Sequence, residues 1–281
     1  MNIYTTFPAT FRFILFSVLL LAASCSSDTN KETPITDPAE PVAELVKPPA
    51  FIGDSAFHFV QTQVEMGPRV PNTDAHRKAG DYYVSKLEAY GAKVITQEFQ
   101  APSFDGKTLQ LRNIIASLYP DQSKRILLAA HYDSRPFADK DDERQDEPID
   151  GANDGASGVA VLLEIARVLH SSGNPPPVGV DIILFDGEDW GNDTSHQEYV
   201  PVVAGWDTWW CLGSQYWGKN KHNPQYSAYY GILLDMVGGK NAKFFREGYS
   251  MEVAPKIVNE VWQAAARLGH NDYFIPIDGG P

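Results

Sequence analysis

At 281 residues the chain has room for one large α/β domain plus processing segments. Acidic residues outnumber basic ones 36 to 23, for a formal net charge of -13. That balance, with no basic stripe, argues against a nucleic-acid partner and otherwise serves solubility.

The first 25 residues read as a targeting segment rather than as fold. Arg12 supplies a positive charge, Phe13 to Ala23 form an apolar run, and Ala22-Ala23-Ser24 lead into Cys25. Small residues before a cysteine resemble a bacterial lipoprotein box, in which Cys25 becomes the lipidated N-terminus. The run is shorter than the ~20 residues of a membrane span. Residues 26–50 are polar and Pro-rich and read as a flexible tether. The expected product is an exported bacterial lipoprotein, anchored through Cys25 and facing the periplasm or the cell surface. With Cys25 lipidated, Cys211 has no partner for an intrachain disulfide.

Residues 51–281 carry the domain. Asp54 or Ser55 is placed to cap a first helix that runs to about Met66, before Gly67-Pro68. Asn72 or Thr73 starts a second, amphipathic helix through Tyr90. Lys93 to Phe99 alternates like a half-buried strand, and Leu109 to Leu118 follows as another. Arg125 to Ala130 is a continuous apolar run after its first residue and reads as a central buried strand, and Gly179 to Phe185 reads as a second. Between them lie a charged loop, Arg135 to Asp150, and a helix from about Ser157 to His170. Ala228 to Met236 reads as a third such strand, and Met251 to Leu268 as one helix. Strands alternating with helices predict an α/β fold: a mostly parallel, twisted mixed sheet with helices on both faces, in a single domain.

Acidic residues collect where these strands end, which is the rim at which open α/β sheets place ligands. His131 and Asp133 stand two apart after the first central strand, so both side chains face one side and the carboxylate can orient the imidazole. Asp154 lies in a Gly-rich turn that lets a carboxylate approach a cation closely; as the residue just before a helix it also suits an N-cap. Glu188 and Asp189 are adjacent in a turn, so one can hold a metal while the other transfers protons. Asp235 ends an apolar strand, where a carboxylate is costly unless paired, protonated or metal-bound.

Four segments occur in order: His131-Tyr132-Asp133-Ser134, Gly151-Ala152-Asn153-Asp154, Phe185-Asp186-Gly187-Glu188-Asp189 and Leu233-Leu234-Asp235. Together they resemble the zinc-dependent aminopeptidase clan, and within it the animal-type glutaminyl-peptide cyclotransferases, particularly bacterial lipoprotein members. The resemblance implies one zinc ion, with Asp154 and Asp189 as ligands and Glu188 as general acid/base. Asp235 is implied to bond to the reacting substrate, and His131 and Asp133 to support the ligands without binding metal. Relatives often carry Glu where Asp189 stands. The resemblance also implies a third ligand, a histidine in a late loop; the chain stops at Pro281 before any match, so that ligand is expected beyond it.

Five of the six tryptophans fall between residues 190 and 217, in a long insertion ahead of Leu212-Gly213-Ser214 or just after it. Trp190, Trp210 and Trp217 are expected to wall a pocket for a flat glutamine side chain. The implied reaction cyclises the N-terminal glutamine of a peptide to pyroglutamate and releases ammonia. Two alternatives remain at this stage. One is a two-zinc aminopeptidase in which His131 and Asp235 hold the second metal; the other is a non-catalytic surface lipoprotein of the same fold.

Overall fold

The computed structural model describes residues 48–194 and 197–279. The export signal, Cys25 and most of the tether lie outside the described residues. The described residues form one compact unit. Among the described residues no helix is long and apolar enough to cross a membrane.

Five strands build the main sheet: β1 (Lys93–Pro102), β2 (Thr108–Leu118), β3 (Arg125–His131), β4 (Gly179–Phe185) and β5 (Gly231–Leu233). Their order is β1-β2-β4-β3-β5. The β1–β2 and β2–β4 pairs are antiparallel, whereas β3 runs parallel to both β4 and β5. The sheet is therefore mixed, with its parallel half carrying the acidic rim. Helices α1 (Gly53–Glu65), α2 (Asp74–Ala89) and α3 (Ala156–Ser171) lie on one face, and α4 (Leu212–Lys219) on the other.

The two-residue period of the strands divides their apolar side chains between two cores. Ile114, Leu128, Ala130, Ile182 and Leu184 face Tyr83, Leu87, Val159 and Leu163 of the helices. Ile115, Ala129, Ile183 and Phe185 face the other way, toward Trp217. Each fully buried Leu or Ile contributes about 1.5–3 kcal/mol, which explains why β3 and β4 are predominantly apolar; the exception inside β4, buried Asp181, is paired with Arg125 at 2.6 Å.

Thr73 caps α2, its hydroxyl accepting the His76 N–H at 3.2 Å. Neither Asp54 nor Ser55 caps α1, which has no side-chain cap. Buried Glu164 of α3 instead anchors the start of the helix, accepting the Ile52 N–H at 2.9 Å and the Ser55 hydroxyl at 2.7 Å. The expected single helix over 251–268 is two, α5 (Gly248–Val253) and α6 (Pro255–Arg267). Pro255 cannot continue a helix, but it fits the first turn of a new one. The expected central strand at 228–236 is only the short β5, at the sheet edge, with Leu233 62% exposed. β6 (Phe244–Glu247) and β7 (Phe274–Gly279) pair in parallel as a separate two-stranded sheet.

Candidate metal and catalytic site

Parallel pairing sets the site. His131 is in register with Phe185, so the segments that follow β3 and β4 leave the sheet side by side. β5 runs parallel on the other side of β3, which brings Asp235 to the same rim. The Gly-rich turn before α3 delivers Asp154 from the helical face.

The turn after β4 needs Gly187, whose φ is +63°. It splits four successive residues between two jobs. Asp186 points into the core and accepts from His76 Nε2 at 2.8 Å, Tyr132 OH at 2.8 Å and the backbone N–H groups of Arg112 and Gly187 at 2.7 and 2.8 Å. Glu188 and Asp189 continue outward, both of their N–H groups accepted by the Asp133 carboxylate.

His131 sits almost fully buried at the centre. Its Nε2 lies 2.9 Å from Asp154 Oδ1 and 3.4 Å from Asp235 Oδ1; its Nδ1 lies 3.5 Å from Asp133 Oδ1 and 3.9 Å from Glu188 Oε2. None of these approaches has the alignment of a hydrogen bond, so both ring nitrogens are buried without one. Burial opposes protonation of the imidazole, but Asp133, Asp154 and Asp235 outweigh it and hold its pKa well above the ordinary value. Asp189 Oδ2 is likewise buried without a partner among the described residues. Burial, then the negative charges of Asp154, Asp133 and Glu188, push the Asp189 carboxyl up to about 9.

These observations fit a cation. Unpartnered buried oxygens and nitrogens are costly, and clustered carboxylates repel one another; a divalent ion relieves both. Of the two expected ligands, Asp154 belongs to a group of ligand atoms within 4.8 Å of one another, with His131 and Asp235, whereas Asp189 lies outside that group among the described residues and feels the Asp154 charge. His131, expected to stay outside the metal set, offers a ligand atom within 4.8 Å of those of Asp154 and Asp235. Asp235 is not the buried strand-end acid that its apolar run implies: its side chain is 46% exposed, because β5 is an edge strand.

A cleft of about 450 Å³ opens beside the cluster, lined by His131, Glu188, Cys211, Trp217, Leu233 and Asp235 among others. Burial raises the Glu188 pKa; His131 opposes this, and Asp133 and Asp235 add to it. Of the three tryptophans expected to wall a pocket, Trp217 lines the cleft. Its indole N–H donates to His222 Nδ1 at 3.0 Å, and its ring packs edge-on to Phe185 and Tyr226. Trp190 is instead a core residue, 4% exposed, against Leu111 and Leu212. Trp210 lies over Gly191, with the Arg135 guanidinium 4.7 Å from its ring centre.

Residues that sequence reasoning passed over complete the site. The Cys211 thiol donates to Glu188 Oε1 at 3.2 Å, and the Cys211 N–H to the Glu188 carbonyl at 2.9 Å. Burial and the nearby Glu188 charge push that thiol up to about 12, so it stays protonated as a donor. Arg135 Nη1 donates to the Asp189 carbonyl at 3.0 Å. Neither role has a sequence signal: Cys211 returns to the rim 23 residues after Glu188, and Arg135 reaches Asp189 across 54 residues from the loop after β3.

Peptidase family M28 matches residues 113–278. The glutaminyl-peptide cyclotransferase of Drosophila melanogaster is 30% identical over 183 residues, 63% of this chain and 47% of that protein. The chain spans at most about half the length of the curated relatives it matches. Among solved structures, a Zn-dependent exopeptidase from Parabacteroides distasonis is 51% identical with a TM-score of 0.77, covering 83% of this chain and 78% of that one. Tannerella forsythia glutaminyl cyclase is 46% identical, with the same TM-score and the same coverage.

Proposed function

This chain belongs to peptidase family M28, and on that premise we propose that it is a glutaminyl-peptide cyclotransferase assisted by one zinc ion. The structural neighbours named glutaminyl cyclases support this reading over most of the described chain. The observation that carries it is the division of labour between two adjacent acids. Glu188 faces the cleft with a raised pKa, while Asp189 is buried, its Oδ1 3.8 Å from Arg135 Nη1 and its Oδ2 without a hydrogen-bond partner among the described residues.

Asp154 and Asp189 would hold the ion. When bound, zinc polarises the γ-carboxamide oxygen of the substrate as a Lewis acid. Glu188 accepts a proton from the substrate's α-amine as that nitrogen bonds to the γ-carbonyl carbon. It then delivers the proton to the amide nitrogen, whose bond to carbon breaks, and ammonia leaves. Asp235, half-exposed across the cleft, hydrogen-bonds to the substrate during this exchange. Trp217 walls the cleft and keeps the glutamine side chain folded toward its own amine. No attacking water is required.

A second reading rests on a specific observation, the closeness of ligand atoms on His131, Asp154 and Asp235. That group could hold another ion, as a two-zinc aminopeptidase requires. One paired assay separates the two: ammonia release from a Gln-peptide against free leucine from a Leu-peptide. The cyclotransferase reading requires the first and only trace amounts of the second.

The N-terminal apolar run and Cys25 support export and lipid anchoring. Incorporation of labelled fatty acid into the wild type but not into Cys25→Ser is the corresponding test.

A further inference from the structure

We infer that Arg69 is a positioning residue that locks together the two segments presenting the ion-binding groups; the inference rests on the ion-binding reading above. Arg69 is fully buried, and its three side-chain hydrogen bonds all go to backbone carbonyls. Nε donates to Tyr132 O at 3.2 Å, Nη1 to Asp150 O at 2.8 Å and Nη2 to Gly151 O at 2.6 Å. The Arg69 carbonyl in turn accepts the Ser134 N–H at 3.2 Å.

Tyr132 and Ser134 flank Asp133 and follow His131; Asp150 and Gly151 lead into Asp154. A charged, mostly exposed loop joins these segments in sequence, and its ends are tied by backbone hydrogen bonds, from the Ile149 N–H to the Arg135 carbonyl at 3.1 Å and from the Ala138 N–H to the Glu147 carbonyl at 2.7 Å. Arg69 adds a buried tie between the same two segments. Its planar guanidinium offers five donors in a fixed fork, so one side chain can span carbonyls from both segments. The Gly151 carbonyl that receives Nη2 also accepts the Ala156 N–H at 3.1 Å, which ties the guanidinium to the first turn of α3. Gly151 has φ +60°, and a Cβ there would stand 2.5 Å from Arg69 Nη2 and 2.4 Å from the Asp154 carbonyl. The turn is thus closed down onto the arginine with no room to spare.

Arg69→Lys keeps the charge but cannot span both segments. Zn(II) affinity is measured by chelator competition, Co(II) binding by its visible absorption spectrum, and backbone motion by amide hydrogen exchange. The inference expects Zn(II) affinity to fall roughly 10–100-fold, the range for groups that orient metal ligands. It also expects an altered Co(II) spectrum and faster exchange confined to residues 151–157, with β3 and β4 exchanging as in the wild type. Gly151→Ala, which crowds the same guanidinium from the other side, should give the same pattern should Arg69→Lys not fold. Unchanged affinity and exchange overturn the inference. So does collapse of the whole fold in both variants, which would make Arg69 a general core strut. If the wild type binds neither Zn(II) nor Co(II), the ion-binding reading fails instead. Exchange at 151–157 then decides Arg69 alone, local acceleration supporting it and none overturning it.

Discussion

Asp133 Oδ1 accepts the backbone N–H of Glu188 at 3.0 Å, and Oδ2 accepts that of the next residue, Asp189, at the same distance. One fully buried carboxylate at the end of β3 thus fixes two consecutive amides beyond β4. Those amides carry the proposed proton carrier and the proposed zinc ligand. Burial works against the Asp133 charge, but His131 and the two N–H groups more than offset it and hold its pKa below the usual carboxylate range.

Asp133→Asn tests this arrangement. The amide keeps the shape but has only one oxygen, so one of the two buried N–H groups faces an NH2 donor. The expected cost is about 1–3 kcal/mol in urea denaturation, the penalty of an unsatisfied buried group. Zinc affinity should fall along with it. Stability and affinity both equal to wild type would show that the bridge does not organise the turn.

The tryptophans should separate by role. Trp190→Ala removes a core side chain and should cost about 3–5 kcal/mol in stability. In the folded fraction, KM for a Gln-peptide should be nearly unchanged. Trp217→Ala should raise KM about tenfold, equivalent to about 1.4 kcal/mol of lost contact, with a smaller loss of stability. Steady-state kinetics beside thermal melts would expose a reversed pattern.

His76 gives a pH signature away from the cleft. Burial lowers its pKa, but the charge and hydrogen bond of Asp186 prevail and raise it overall. A histidine whose folded pKa exceeds its unfolded value adds stability that is complete below the unfolded pKa, about 6.5. That contribution fades as pH rises through the folded value. The stability gap between wild type and His76→Gln should therefore be widest near about pH 5.5 and shrink toward about pH 9. A gap that widened with pH would reverse the assigned sign.

Much of this was legible in the chain, for physical reasons. β3 and β4 carry apolar side chains into the cores on both faces, so their sequences are mostly apolar and the acids that follow them stand out. The same logic misplaced the strand over 228–236. Apolar composition does not distinguish a central strand from an edge, and only three residues there pair with β3. Pro255 was a readable helix break, overridden by the apolar period on either side of it. The approach of His131 to Asp154 and Asp235 was legible only through the two-zinc alternative that the resemblance offered, because it depends on sheet order rather than on local pattern. Arg69 and His76 carried no signal at all: their partners, Gly151 and Asp186, lie 82 and 110 residues away.

The central claim is that Glu188 moves the proton while Asp154 and Asp189 hold the ion. Its most direct test is ammonia release from a Gln-peptide by wild type and Glu188→Gln at matched, measured zinc content. The account predicts turnover by the wild type and at least a ~100-fold loss in the variant, the lower end of general acid–base contributions, with zinc retained. Normal turnover by Glu188→Gln would contradict it.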